Sequence, residues 1–207
     1  MSQEIMLISQ KAIDILKEKF GKNCQFDIPL GPYTTAQVGG SAKVLITVKN
    51  RESLIDAIRI CWENDLLYQI LGSGSNILIH EDGFDGVIIL NRAKNILINI
   101  EKNPPEIQVE SGANLGLVAR KAALSGFAGL EWAATIPGTI GGAVYGNAGA
   151  HQSDMSQYII LVEILQQFSE PVYWTVEQME YSYRSSVLKR MPQKAAILSV
   201  SLKGSRD

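Results

Sequence analysis

An α+β fold in two lobes is what this sequence predicts, on three observations. Short β-branched runs recur between turn signals, and only a few segments carry the 3.6-residue apolar period of a helix. The pattern changes after Asn103-Pro104-Pro105, near residues 105–111, which sets lobes at 1–107 and 108–207. Each lobe holds one glycine cluster, Leu71-Gly72-Ser73-Gly74-Ser75-Asn76 in the first and the uncharged stretch 137–150 in the second.

In chain order, Ile5, Ile8, Ala12, Ile15 and Leu16 fall at helical spacing over residues 3–20, and Gly21 supplies a stop. Lys43–Lys49 is short and β-branched, a strand. Asn50 is placed to cap a helix through Glu63 with Leu54, Ile58 and Cys61 inward. Tyr68–Leu71 completes a β-α-β unit that delivers the 72–76 loop. Ile77–Ile79, Val87–Leu90, Ile96–Ile100 and Ile107–Val109 read as further strands. Asn114 caps a helix over Leu115–Leu124, with Leu117, Arg120, Lys121 and Leu124 marking its period and Gly126 closing it. Strands follow at Ile159–Leu165, Val172–Trp174 and Ala195–Leu202.

Composition narrows the function classes. Apolar residues make up 46% and charged residues 19% of the 207, ordinary values for a globular protein able to bury a core. Nineteen basic and 21 acidic residues are interspersed, for a net charge of −2. No cationic face emerges, so neither nucleic acid nor an anionic membrane is expected as a partner. Cys24 and Cys61 lack metal-ligand spacing and read as buried reduced thiols, and no metal is expected. No uncharged run approaches membrane-spanning length, and Glu4 interrupts the apolar N-terminus, so a cytoplasmic protein is expected.

Three segments carry candidate chemistry. After a strand, Gly72, Ser73, Gly74, Ser75 and Asn76 can form a nest of N–H donors for a pyrophosphate. The same pentapeptide also serves as a tight turn between strands. Ile77 stands where a GxGxxG fingerprint needs glycine. Residues 137–150, with five glycines and no charge, read either as a close-packed turn or as backbone laid along a flat cofactor. In the second reading Asn147 offers a donor and an acceptor to a ring edge. In Tyr183-Arg184-Ser185-Ser186 the arginine is a solvated cation or one that fixes a carboxylate and stabilises developing negative charge. His80 and His151 are too far apart in sequence for a metal pair, and Trp132 reads as core.

Four motifs in a fixed order complete the picture: Tyr33-Thr34-Thr35 with Gly39-Gly40-Ser41-Ala42; Leu71 to Asn76; Gly129-Leu130-Glu131 leading into Ile136-Pro137-Gly138-Thr139-Ile140-Gly141-Gly142-Ala143 and Asn147-Ala148-Gly149-Ala150; and Tyr183 to Ser186. From about residue 28 to 203 the sequence resembles the UDP-N-acetylenolpyruvoylglucosamine reductases, flavoenzymes of peptidoglycan precursor synthesis. Ala36 and Gln37 depart from that family, which commonly has an aromatic and then a basic residue there.

The resemblance implies the two-lobed FAD-binding fold of the vanillyl-alcohol-oxidase / PCMH type, with FAD held non-covalently. Gly72, Ser73, Gly74, Ser75 and Asn76 would wrap the pyrophosphate. Pro137, Gly138, Thr139, Gly141, Gly142, Asn147, Ala148 and Gly149 would run along the flavin and ribityl chain, and Ile197 would approach the ring. In the implied reaction NADPH reduces FAD, and a hydride then reaches the enolpyruvyl double bond of a UDP-linked amino sugar. Arg184 would act on the substrate carboxylate and the enolate charge, with Tyr183 beside it in the substrate site. The family continues into a third, substrate-binding domain with a serine proton donor and a late glutamate, and no matching segment occurs before Asp207. The expectation is therefore a reductase or its FAD-binding portion, with an exposed C-terminal face open to a protein partner. The alternative is an FAD-binding module without reductase activity.

Overall fold

The computed structural model describes residues 8–190 and 195–207. Ile5 and the first turn of the helix expected from residue 3 lie outside the described residues. The chain divides into two compact units, Met1–Asn91 and Arg92–Asp207.

In the first unit, helix α1 (Gln10–Phe20) starts where the Ser9 hydroxyl accepts the Ala12 N–H, and it ends at Gly21, φ 49°. It buries Ala12, Leu16 and Phe20. Strand β1 (Cys24–Pro29) pairs antiparallel with β2 (Ser41–Val48). Helix α2 (Arg51–Glu63) opens on a reciprocal cap, Asn50 accepting from Ser53 N at 2.9 Å and Ser53 Oγ accepting from Asn50 N at 3.3 Å. Leu54, Ile58 and Cys61 are fully buried on its inner face. Strands β3 (Tyr68–Leu71) and β4 (Phe84–Asn91) finish a sheet of order β1-β2-β4-β3, in which β2, β4 and β3 run parallel.

The β-α-β unit is thus present, but β4 lies between its two strands. Six consecutive residues of β4, Gly86–Asn91, are buried, as a central parallel strand requires. Residues 72–83 carry the return from β3 to parallel β4, a connection that cannot be short. Ile77–Ile79 lies in this connection and is not a strand. Ile77 and Ile79 pack against a small core of Leu30, Leu45, Leu71, Ile88 and Leu90 while Leu78 is 78% exposed, so real alternate burial occurs without a ladder.

The second unit is built on an antiparallel sheet. Its strands are β5 (Ile96–Asn99), β6 (Glu106–Glu110), β10 (Ile159–Gln166), β11 (Val172–Trp174) and β12 (Ala195–Lys203), in the order β11-β10-β12-β6-β5. Helices α3 (Leu115–Leu124), α4 (Ile140–Tyr145), α5 (Val176–Met179) and α6 (Val187–Arg190) accompany it, with short pairs β7 (Phe127–Ala128) with β13 (Ser205–Arg206) and β8 (Gly149–Ala150) with β9 (Ser153–Asp154). Ile107, Val109, Leu115, Phe127, Ile140 and Val200 share one core.

Two expectations are corrected here. The division falls at 91/92 and not at 107/108, because β5 pairs with β6 and β6 with β12 (Ile96 opposite Val109, Glu110 opposite Ser199). Composition changes where strands give way to a helix, whereas the unit begins where the ladder does. Helix α3 is capped by Asn114 as expected, but its inner face is Leu115, Gly116, Val118, Ala119 and Ala122. Leu117 and Leu124 point outward, Leu124 at 89% exposure. Close approach selects the small-residue face: a Cβ on Gly116 would stand 2.6 Å from the Ala134 carbonyl oxygen. Helix α4, inside the glycine-rich segment, is a further element that the residue pattern did not announce.

Burial pushes the Cys61 thiol from an ordinary 9.0 to about 12 and the Tyr68 phenol from 10.0 to about 12. Both folded values are raised, so this contribution to stability is complete below pH 9 and is lost as pH rises toward 12. The denaturant midpoint should be flat up to about pH 9 and then fall, and a midpoint rising above pH 9 would contradict the assignment. At the β8–β9 turn His151 and Gln152 stand at φ 50° and 65°. Gln152→Gly should raise stability by about 0.5 kcal/mol, the relief of left-handed strain exceeding the entropy glycine gains when unfolded. A lower midpoint at unchanged denaturant slope would show that the side chain contributes packing.

Candidate functional site

The first-unit motifs are joined backbone to backbone. Gly74 stands at φ 67°, and a Cβ there would lie 2.1 Å from the Tyr33 carbonyl oxygen and 2.8 Å from Thr34 Cα. Thr35 N–H donates to the Gly74 carbonyl at 3.0 Å, and buried Thr34 donates its hydroxyl to Gly31 O at 3.2 Å. Gln37, one of the two departures in this motif, takes φ 56° and donates its N–H to Thr34 O at 3.2 Å. At Gly40 a Cβ would lie 2.1 Å from Glu81 O, and Gly40 N–H donates to His80 O at 2.9 Å. The 33–40 segment therefore braces both ends of the 72–83 connection.

That bracing uses the carbonyl side of the 72–76 loop. Among the described residues no hydrogen bond takes up the N–H groups of Ser73, Gly74, Ser75 or Asn76, and Ser73 and Asn76 are exposed. Four adjacent donors and two hydroxyls held on a fixed turn fit a polyanion.

The glycine-rich segment of the second unit behaves oppositely. Thr139 caps α4, its hydroxyl accepting from Gly142 N at 3.4 Å. Ile140 N–H donates to Ala113 O at 2.9 Å, Gly141 N–H to Ser111 O at 2.8 Å and Leu115 N–H to Gly138 O at 3.1 Å. Ser111 in turn donates its N–H to Leu198 O at 2.9 Å, which ties the segment to β12. Gly141 is required there because a Cβ would come within 2.9 Å of Ser111 Cβ. The first-turn donors of α4 are thus spent internally and offer no anion cradle. At Gly142 a Cβ would meet only Thr139 Oγ1, at 3.6 Å, so this part of the segment has an unobstructed side. Ala148 N–H donates to Ala143 O, and the Gly149 backbone packs so tightly on β9 that a Cβ would lie 2.6 Å from Ser153 O. Pro137 precedes Gly138, which stands at φ 135° and turns the chain into α4.

Asn147 is 4% exposed and its amide is engaged within the unit. Nδ2 donates to Ser182 O at 3.2 Å and Oδ1 accepts from Ser156 N at 3.1 Å. The segment carrying Tyr183 and Arg184 is therefore fastened to the glycine-rich segment. Ser186, fully buried, adds a bond from its hydroxyl to Tyr145 O at 2.7 Å. Tyr183 and Arg184 form the tip of a tight turn in which Ser182 and Ser185 pair, and both tip residues are exposed. Arg184 stands at φ 55° and donates Nη2 to Gly149 O at 2.8 Å. Lys189 Nζ donates to the Arg184 carbonyl at 3.0 Å.

Ile197 lies in β12 opposite Ile164, mostly buried in the second-unit core. Trp132 is core as expected, yet among the described residues its indole N–H finds no acceptor and the buried Tyr181 hydroxyl no partner. Burial, with Asp154 nearby, drives the Tyr181 phenol far above its ordinary range. His80 accepts the Asp82 N–H through Nδ1 at 3.2 Å. Among the described residues no group of three or more His, Cys, Asp or Glu could hold a metal ion, and no helix is long and apolar enough to cross a membrane. Ser111, Ser156 and Lys189 are the contributors the sequence did not reveal, since each acts through a bond to or from the main chain that only the fold supplies.

Residues 42–167 match the FAD binding domain family. The UDP-N-acetylenolpyruvoylglucosamine reductase of Bacillus subtilis (strain 168) is 36% identical over 181 residues, covering 87% of this chain and 59% of that protein. The same-named protein of Lactobacillus acidophilus is 33% identical over 201 residues, covering 97% and 63%. The chain thus spans less than two thirds of the length of these relatives. Among solved structures, UDP-N-acetylenolpyruvylglucosamine reductase from Thermus caldophilus superposes with a TM-score of 0.72 at 31% identity, over 86% of this chain and 61% of that one. Alkyldihydroxyacetonephosphate synthase, at 12% identity, has a TM-score of 0.67 over 96% of this chain and 40% of its own, a likeness of fold alone. By sequence and by fold, this chain belongs to the FAD binding domain family.

Proposed function

We propose that the chain is the FAD-binding part of an oxidoreductase of the UDP-N-acetylenolpyruvoylglucosamine reductase type, which uses NADPH to reduce an enolpyruvyl group on a UDP-linked amino sugar. The observation that carries the reading is the pair of unlike loops. One presents four unspent N–H donors at 73–76, and the other spends its donors and fastens a guanidinium-bearing turn. Similarity to the reductases over 87% of the chain supports the substrate class.

Ser73, Gly74, Ser75 and Asn76 would hold the pyrophosphate of FAD, with Gly72 leading into the loop. Pro137, Gly138, Thr139, Gly141, Gly142, Ala148 and Gly149 would lie along the flavin and ribityl chain, and Ile197 toward the ring. FAD, when bound, supplies a two-electron hydride carrier. Arg184 would receive the substrate carboxylate through its planar fork of donors, with Tyr183 beside it. A cation there favours the negative charge that forms next to the carboxylate during reduction.

FAD added to the purified chain should develop a bound flavin absorption band that denaturation releases. A chain that takes up no FAD would sink the reading. Gly74→Ala must displace the Tyr33–Thr34 backbone and should weaken FAD affinity by at least about 100-fold. Unchanged affinity would remove the pyrophosphate from this loop. Anaerobic stopped-flow with NADPH, followed by the enolpyruvyl substrate, tests the activity. Arg184→Ala should slow substrate-dependent reoxidation by about 100-fold while FAD affinity stays within about threefold. Equal loss of both would make Arg184 structural, and flavin reduction without any reoxidation in the parent chain would leave an FAD-binding module.

A further inference from the structure

The turn that carries Arg184 holds little packing of its own. Ser182, Tyr183 and Arg184 are exposed, and the tip is closed by two backbone bonds, Ser182 N–H to Ser185 O and Ser185 N–H to Ser182 O, both 3.1 Å. Arg184 at φ 55° adds strain of about 1–2 kcal/mol. Three bonds tie the turn to residues 145–149, Ser186 Oγ to Tyr145 O, Asn147 Nδ2 to Ser182 O and Arg184 Nη2 to Gly149 O, and Lys189 Nζ adds one to the Arg184 carbonyl.

Asn147 is the buried member of the set whose chemistry is least replaceable. It must meet a carbonyl at Ser182 and an N–H at Ser156 together. A carboxylate of the same shape keeps the second bond and loses the first, and an apolar side chain loses both. The two partners also fix which end of the amide faces which way.

We propose that Asn147 is a positioning residue for Arg184, joining the turn to the glycine-rich segment so that the segment sets where the guanidinium is presented. This rests on the reading of Arg184 as the carboxylate-binding cation. Gly149 O is then the resting acceptor, a neutral carbonyl taking one bond, which a carboxylate displaces because it is itself charged and can take two parallel N–H bonds from the guanidinium. In this role Asn147 acts through Arg184 and not through the cofactor.

Asn147→Asp in ¹⁵N-labelled protein, without FAD, tests the anchor. The Arg184 Nε–H resonance, assigned by its disappearance in Arg184→Lys, should move to the position of a free exposed arginine. Exchange of the Ser185 amide should quicken at least about tenfold, while Ile140 and Gly141 keep their protection. Ser186→Ala, a milder change that removes only the bond to Tyr145, should shift the same Arg184 signal. An unmoved Arg184 resonance with unchanged Ser185 exchange in both variants would overturn the proposal. FAD titration supplies the second readout. Asn147→Asp with FAD affinity within about threefold of the parent supports a positioning role. Lost affinity with an intact turn would make Asn147 a cofactor ligand and defeat it. A parent chain that takes up no FAD would defeat the cofactor reading alone, and the NMR comparison would still decide the anchor.

Discussion

The first unit depends on a place where two stretches of backbone touch with no side chain between them. At Gly74 the Tyr33 carbonyl oxygen occupies the volume a Cβ would need, at 2.1 Å. This contact turns an irregular connection between parallel strands into a fixed object. Loops of this length are normally mobile. Here the 33–35 backbone grips the near end of the loop, at Gly74, and the Gly40–His80 bond grips its far end. The grip uses carbonyl oxygens, and among the described residues no hydrogen bond takes up the N–H groups of 73–76. Donors that are already ordered lose little entropy on meeting an anion.

The second unit uses glycine for the opposite purpose. Gly141 lets α4 lie against Ser111, and the N–H groups that a helix start would leave open are consumed by Ser111, Ala113 and Thr139. A short helix with saturated donors cannot recruit an anion through its backbone. What it does hold is the Arg184 turn, through its C-terminal continuation at Asn147 and Gly149.

Local signals were legible in the sequence, and tertiary ones were not. Asn50 and Asn114 predict their helices because a cap is a bond between residues three apart. Strands β3, β6, β10, β11 and β12 follow from short apolar runs between turn residues. Residues 77–79 mislead because alternate burial against a loop-covered face has the same period as a strand. The inner face of α3 misleads because Gly116 and Ala119 carry little apolar weight, yet at 116 only a residue without a Cβ allows the Ala134 carbonyl so close. Asn147 was legible as a conspicuous amide in an uncharged stretch. Its partners, Ser156 and Ser182, are chosen by the fold, and no spacing in the sequence names them.

Arg184 shows how finely the turn is balanced. Glycine would take φ 55° without strain but would bring no cation. Left-handed arginine costs about 1–2 kcal/mol, and strain of this kind is held only where the surroundings over-determine it. Two charged donors act locally, Arg184 Nη2 on Gly149 O and Lys189 Nζ on the Arg184 carbonyl. Hydrogen bonds to charged groups contribute about 1.5–3 kcal/mol each when buried, but exposure at both sites brings these two to about 0.5–1 kcal/mol each. Strain and local bonding therefore nearly cancel. The buried bonds from Asn147 and Ser186 decide the outcome, which is why the presentation of an exposed guanidinium depends on side chains that never touch it.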